Sequence, residues 1–204
     1  AKAELFRLMR SNLLFVLNRV DDKVVLMTSS SSGEGKSFIS INLAATLALL
    51  NKRVLLIGMD IRNPRLAEYL NISPRFGLTQ YLSSDNISID SLISHVDDVE
   101  GLDVIVAGPV PPNPAELLLS QKVDDLFARL RGMYDYVIVD TAPIGLVSDT
   151  FTLDRIADAS IYVCRANYTS LTDLVAVNEI YEQRRLKKLS LVINGSAANK
   201  TYGY

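Results

Sequence analysis

The sequence predicts a doubly wound α/β fold: a mostly parallel sheet flanked by helices, with one extra helix in front. Three observations lead there. Six short runs rich in Val and Ile recur along the chain, at 23–28, 53–58, 102–107, 134–140, 159–164 and 189–194. Each is apolar throughout instead of alternating, as expected of strands covered on both faces. Helix-length stretches at 37–51, 64–70, 114–131, 149–157 and 170–187 separate most of them. Strand–helix repetition of this kind calls for parallel strands joined by crossovers, with ligands bound at the carboxyl ends of the strands.

The leading element is "AKAELFRLMRSNLLFVLN". Leu5, Leu8, Met9 and Leu13 fall on one face at helical spacing, and Glu4, Arg7 and Arg10 on a neighbouring face. As a bare sequence feature, the charged triplet is a solvated face.

The first strand, "KVVLMT", runs into "TSSSSGEGKS" and then into helix 37–51. Gly35, Lys36 and Ser37 complete the second half of G-x-x-x-x-G-K-[ST], in the strand–loop–helix setting that a phosphate loop requires. Amides of Ser32, Gly33, Glu34, Gly35, Lys36, Ser37 and Phe38 are the candidate ATP cradle, at a helix N-terminus where the dipole favours anions. The motif assigns Lys36 to the β- and γ-phosphates and the Ser37 hydroxyl to Mg²⁺. The first glycine of the pattern is replaced by Ser30, at the exit of the strand. A small residue suffices there if its backbone angles are ordinary.

Strand 53–58 leads into "GMDIRNPRL", which places Asp60 at its end. A carboxylate there can accept a hydroxyl proton or help hold a metal. Asn63 suits the cap of the next helix and Pro64 its first position. In "PPNPAELL" (111–118), Asn113, Pro114 and Glu116 suit the cap, first and third positions of a helix. Strand 134–140 delivers Asp140 at its carboxyl end, the Walker B arrangement, where it would hold Mg²⁺ directly or through water. Tyr134, Tyr136 and Tyr162 read as core or strand residues, and Cys164 as a small buried hydrophobe. Asn194 ends the last strand before Gly195. It reads either as an adenine-edge contact or as a turn former.

Bulk properties remove other classes. The 204 residues suit about one domain, and a net charge of −2 argues against nonspecific nucleic-acid binding. A single cysteine excludes a disulfide framework. No run reaches the roughly 18 consecutive apolar residues of a membrane span. The chain lacks an initiator Met and ends at "KTYGY". It reads as a domain cut from a longer protein, with room for membrane segments outside it.

Together the three segments resemble the bacterial tyrosine kinases that control capsule and exopolysaccharide production. These are P-loop NTPases unrelated in fold to eukaryotic kinases. The resemblance covers nearly the whole chain: "ELFRLMR" fits the family's E-x-x-R-x-x-R, "DYVIVDTAP" its Walker B, and "KTYGY" the start of its C-terminal tyrosine cluster. It implies a single kinase domain over 1–204, with residues 1–20 as a leading oligomerisation helix and 196–204 as the start of a flexible tyrosine tail. It also implies ATP and Mg²⁺ as cofactors, Lys36, Asp60 and Asp140 as catalytic residues, and Ser37, Asp60 and Asp140 as metal ligands. Tyr202 and Tyr204 become phosphoacceptors on neighbouring subunits. Glu4, Arg7 and Arg10 become an interface received by Asn113 and Glu116 of the next subunit, closing a homo-oligomeric ring of about eight copies by heterologous contacts. A membrane-anchored activator region, fused or separate, and a cytoplasmic position at the inner membrane are implied as well. The family tolerates replacement of the first loop glycine, so Ser30 is no departure.

Gly58 is one. It takes the place of the first aspartate of the family's D-x-D-x-R, leaving Asp60 alone, with room for water in the vacated space. Two other readings therefore stand beside the kinase. One is a switch ATPase of the partitioning and cell-division type, which carries an extra loop lysine where this chain has Ser31. The other is a nucleotide-binding scaffold weakened in catalysis.

Overall fold

A computed structural model describes residues 2–197. Its strands are β1 (Val24–Ser29), β2 (Val54–Gly58), β3 (Ser94–His95), β4 (Leu102–Ile105), β5 (Tyr136–Asp140), β6 (Ala159–Arg165) and β7 (Leu189–Asn194). They form one sheet in the order β3-β4-β2-β5-β1-β6-β7, parallel throughout except for the β3–β4 pair. The two-residue β3 is too short to leave a periodic signal in the sequence.

Both faces of the central strands are covered, which is why they read as unbroken apolar runs. The run at 189–194 differs, because β7 lies at the sheet edge with Leu191 and Ile193 exposed. Leu26, Leu55 and Ile57 point to one side, where they join Leu118 of α5 (Pro114–Leu119), Leu126 and Phe127 of α6 (Gln121–Met133) and Ile180 of α8 (Leu171–Glu182). Val25, Met27 and Leu56 point to the other side. There they meet Leu13 of α1 (Lys2–Val16), Leu43 and Leu47 of α2 (Lys36–Ala48) and Leu66 of α3 (Leu66–Leu70). Two short helices, α4 (Leu78–Leu82) and α7 (Asp149–Thr152), and two 3₁₀ turns complete the chain. None of the described helices is long and apolar enough to cross a membrane.

Three local expectations are corrected. In α1, Leu13 is buried, but Leu5 and Leu8 are 65% and 58% exposed. The helix is turned so that Phe6 meets Phe38 edge-on at 6.0 Å between centroids, and Phe6, Met9 and Leu14 flank the buried Leu13. The helix expected at 64–70 begins only at Leu66, so Asn63 does not cap it and Pro64 is not its first residue. Asp60 competes for this segment: its Oδ1 accepts from the amides of Arg62 (3.3 Å) and Asn63 (3.0 Å), folding a tight turn ahead of the helix. The helix expected at 114–131 is broken at Ser120, which has extended angles (φ −67°, ψ 147°) and divides α5 from α6. Asn113 and Pro114 do start α5, but the Asn113 amide donates to the Glu116 carboxylate (3.2 Å) instead of capping the backbone.

The register positions the site. β5 lies between β1 and β2, with Asp140 paired to Met27 on one side and Gly58 on the other. The carboxyl ends of all three strands therefore open onto one place.

Candidate nucleotide site

Gly33 and Gly35 both have φ of 88°, in the left-handed region that glycine enters without penalty. These two reversals curl the loop between β1 and α2, and α2 starts directly after Gly35. Lys36 is consequently buried at the helix start, with its Nζ 2.5 Å from Asp140 Oδ1. Ser37 Oγ donates to the other oxygen, Asp140 Oδ2, at 2.7 Å. The motif lysine, the motif hydroxyl and the Walker B carboxylate are thus brought together. Asp60 borders the same cavity of about 760 Å³, which also takes in Gly58, Arg65 and Tyr69. That volume suits a small-molecule ligand. Burial raises the Asp60 carboxyl above the ordinary aspartate value, opposed by the Asn63 amide and the charge of Lys36.

Ser30 needs no glycine: it has no positive φ, and its buried hydroxyl lies 2.6 Å from the Tyr162 hydroxyl. Gly58 itself lines the cavity, and a Cβ there would lie 3.3 Å from Leu66 Cδ2 and 3.5 Å from the Ala107 nitrogen.

Glu34 is 1% exposed and does not face the cavity with its carboxylate. Oε2 accepts from the Ser31 amide (3.0 Å), and Oε1 from the Thr169 hydroxyl (2.6 Å). Asn194 donates from Nδ2 to the Glu34 carbonyl (3.0 Å), and that nitrogen would stand 2.1 Å from a Cβ on Gly35. It braces the loop, while Gly195 (φ 70°) makes the turn.

The end of β6 and the loop after it supply residues that the sequence reading missed. Arg165 Nη1 donates to the Gly33 carbonyl (2.8 Å), and Tyr168 donates to the Ser32 carbonyl (2.6 Å). Their only sequence signal was position, at the carboxyl end of a strand. Arg62 Nε donates to Asp149 Oδ2 at 2.6 Å, tying the Asp60 turn to α7. No local pattern announces that partner, 87 residues away.

Elsewhere, Arg7 pairs with Glu4 on the surface, and Arg10 turns inward to the Thr46 carbonyl (2.8 Å). Tyr202 and Tyr204 lie outside the described residues. Cys164 is buried, with its thiol pushed up to about 11 by desolvation.

No group of three or more His, Cys, Asp or Glu side chains converges among the described residues. The donors beside Lys36 are a hydroxyl and carboxylate oxygens. That set fits Mg²⁺, a hard cation that takes few protein ligands and completes its shell with phosphate and water.

A curled glycine loop, a buried lysine at a helix start and a facing strand-end aspartate define a P-loop NTPase fold. The AAA domain family matches residues 22–191. Tyrosine-protein kinase YwqD of Bacillus subtilis (strain 168) is 35% identical over 204 residues, covering 99% of this chain and 85% of that protein. Tyrosine-protein kinase ptk of Acinetobacter johnsonii is 33% identical over 191 residues, and the chain spans only 26% of its length. The solved kinase domain of Escherichia coli tyrosine kinase ETK superposes with a TM-score of 0.89 at 30% identity, over 99% of this chain and 78% of that one. The septum site-determining protein MinD of Pyrococcus horikoshii, complexed with Mg-ADP, gives 0.70 at 19% identity over 87% of this chain and 72% of that one, a likeness of fold alone. The chain belongs to the bacterial tyrosine-protein kinase family, within the AAA-domain proteins.

Proposed function

We propose that this chain is an ATP- and Mg²⁺-dependent protein-tyrosine autokinase. It phosphorylates C-terminal tyrosines, Tyr202 and Tyr204 among them, on neighbouring copies, and so regulates synthesis or export of an exopolysaccharide or capsule. One observation carries the reading: Lys36 and Ser37 meet the two oxygens of Asp140 at the mouth of a cavity that Asp60 also borders.

Each residue then has a physical role. Loop amides from Ser32 to Phe38 bind phosphate oxygens at the start of α2, where the helix dipole adds to their pull. Lys36, neutralised by Asp140 in the free protein, holds phosphoryl oxygens. Ser37 and Asp140, with Asp60 beside them, would hold Mg²⁺, which supplies neutralisation of phosphate charge when bound. Asp60 accepts the phenolic proton of the incoming tyrosine at a carboxylate oxygen. Its raised proton affinity suits that task better than an ordinary surface carboxylate would. Asn194 and Glu34 keep the loop in shape.

The assembly belongs to the same proposal. Residues 1–204 form one kinase domain, with 1–20 as an oligomerisation helix and 196–204 as a tyrosine tail. Exposed Glu4, Arg7, Leu5 and Leu8 on α1 offer a mixed charged and apolar face to the next copy, near its Asn113 and Glu116. A ring at the cytoplasmic side of the inner membrane, bound to a membrane-anchored activator, completes the picture.

Incubation of the chain with Mg-ATP, followed by mass spectrometry, tests the reading against Lys36→Met and Asp60→Asn variants. Phosphate on Tyr202 or Tyr204 in the wild type only is expected. Phosphate release with ATP-dependent dimers but no phosphotyrosine overturns it in favour of a switch ATPase. Tight ATP binding without turnover points instead to the scaffold.

A further inference from the structure

Three described tyrosines are exposed: Tyr69, Tyr168 and Tyr181. Of these, Tyr168 alone hydrogen-bonds the phosphate loop among the described residues. Its hydroxyl donates to the Ser32 carbonyl at 2.6 Å. The same oxygen would stand 2.8 Å from a Cβ on Gly33, so the ring bears directly on the left-handed glycine that shapes the loop. Arg165 lies over the ring, 5.2 Å from guanidinium carbon to centroid, and donates to the Gly33 carbonyl at 2.8 Å. Two adjacent loop carbonyls are thus held from one side by a phenol and the arginine stacked on it.

We propose that Tyr168 is a regulatory phosphoacceptor: its free hydroxyl latches the phosphate loop, and phosphorylation opens the latch. The inference rests on the tyrosine-kinase reading, which supplies the phosphoryl donor. Tyr168 is 51% exposed and sits in a turn after β6, next to Asn167 with φ of 58°. A side chain at such a site can swing out without disturbing the core.

The step balances. The bond between the γ-phosphorus of ATP and the bridging oxygen breaks, and its electron pair leaves with ADP. A bond forms between that phosphorus and the phenolic oxygen, whose proton passes to a carboxylate base and then to water. The product has no phenolic O–H, so it can no longer donate to the Ser32 carbonyl. It also carries a charge of roughly −1.5 to −2 beside the Ser32 carbonyl oxygen that the phenol had bonded. Charge-assisted bonds to phosphate are stronger than neutral ones, so Arg165 is drawn from the Gly33 carbonyl to the new group. Both tethers are lost in one event, and a dianion is placed next to a site built for polyphosphate. Nucleotide affinity falls, which makes the device a negative feedback on the kinase.

The test incubates the chain with Mg-ATP, maps phosphotyrosine by mass spectrometry, and measures the affinity for a fluorescent N-methylanthraniloyl-ADP before and after. Expected are phosphate on Tyr168, affinity weaker by about tenfold or more, and recovery after phosphatase treatment. Tyr168→Phe, checked for an unchanged melting temperature, is expected to bind the probe about fivefold more weakly, in line with one lost hydrogen bond. Tail tyrosines phosphorylated with Tyr168 unmodified overturn this inference and leave the kinase reading intact. Phosphate on Tyr168 with unchanged affinity also overturns it. No phosphotyrosine anywhere removes the kinase reading and this inference with it.

Discussion

The hydroxyl of Ser30 lies 2.6 Å from that of Tyr162, and both side chains are buried. The residue that departs from the usual loop pattern therefore satisfies a buried phenol on the neighbouring strand. Desolvation pushes the Tyr162 phenol up to about 12, so it remains protonated and able to donate.

Restoring the pattern with Ser30→Gly is consequently a loss. It strands the Tyr162 hydroxyl, for about 1–3 kcal/mol of stability in denaturant titrations. Nucleotide affinity stays within about twofold, because Ser30 does not line the cavity and lies outside the left-handed region. Ser30→Ala separates the lost hydroxyl from added backbone freedom.

Lys36→Met removes the cation that faces Asp140 and the phosphates. Phosphotyrosine formation falls by about 10²–10³-fold, the scale of losing one preorganised charge contact. Circular dichroism reads whether the fold survives.

Asp60→Asn separates proton transfer from binding. Turnover falls by about 10²-fold, while affinity for N-methylanthraniloyl-ADP changes little. The sign of the pH dependence follows from the raised Asp60 proton affinity. The carboxyl is protonated and inactive at low pH, and the wild-type rate climbs as pH rises through a value above the ordinary aspartate 3.8. A pH–rate profile of the Asn variant lacks that limb.

Gly58→Asp restores the family's missing carboxylate but drives its Cβ to 3.3 Å from Leu66. Overpacking of this kind costs about 1–3 kcal/mol, and turnover does not rise. Adding Leu66→Ala relieves the clash and isolates the effect of the second carboxylate, read by the phosphotyrosine assay.

Asp158 joins three elements. It accepts from the Lys23 and Val24 amides, each at 2.8 Å, and pairs with both terminal nitrogens of Arg131. Burial pushes its carboxyl up, but the Arg131 and amide hydrogen bonds outweigh burial and leave it below the usual value. A lowered folded value means stability that is present above the unfolded pKa and lost as pH falls through the folded one. Asp158→Asn therefore destabilises at neutral pH by about 2–3 kcal/mol, and the difference from wild type shrinks in acid.

Much of the molecule was legible in the residues. Apolar runs named six of the seven strands. For five of them the reason is burial within the sheet, a pattern that needs no knowledge of neighbours, whereas β7 reads as apolar although Leu191 and Ile193 are exposed. Lys36, Ser37 and Asp140 were legible for the same reason: a glycine-rich loop opening a helix and a strand-end aspartate are local devices. What lay beyond local pattern was pairing. The burial of Leu13 against the exposure of Leu5, the break at Ser120, and the approach of Leu66 to Gly58 depend on how helices seat on the sheet. The partners Ser30–Tyr162, Arg62–Asp149 and Tyr168–Ser32 are 132, 87 and 136 residues apart. Side chains so distant meet only once strand order is set, since it is the parallel register that stacks the carboxyl ends of β1, β2, β5 and β6 beside one another.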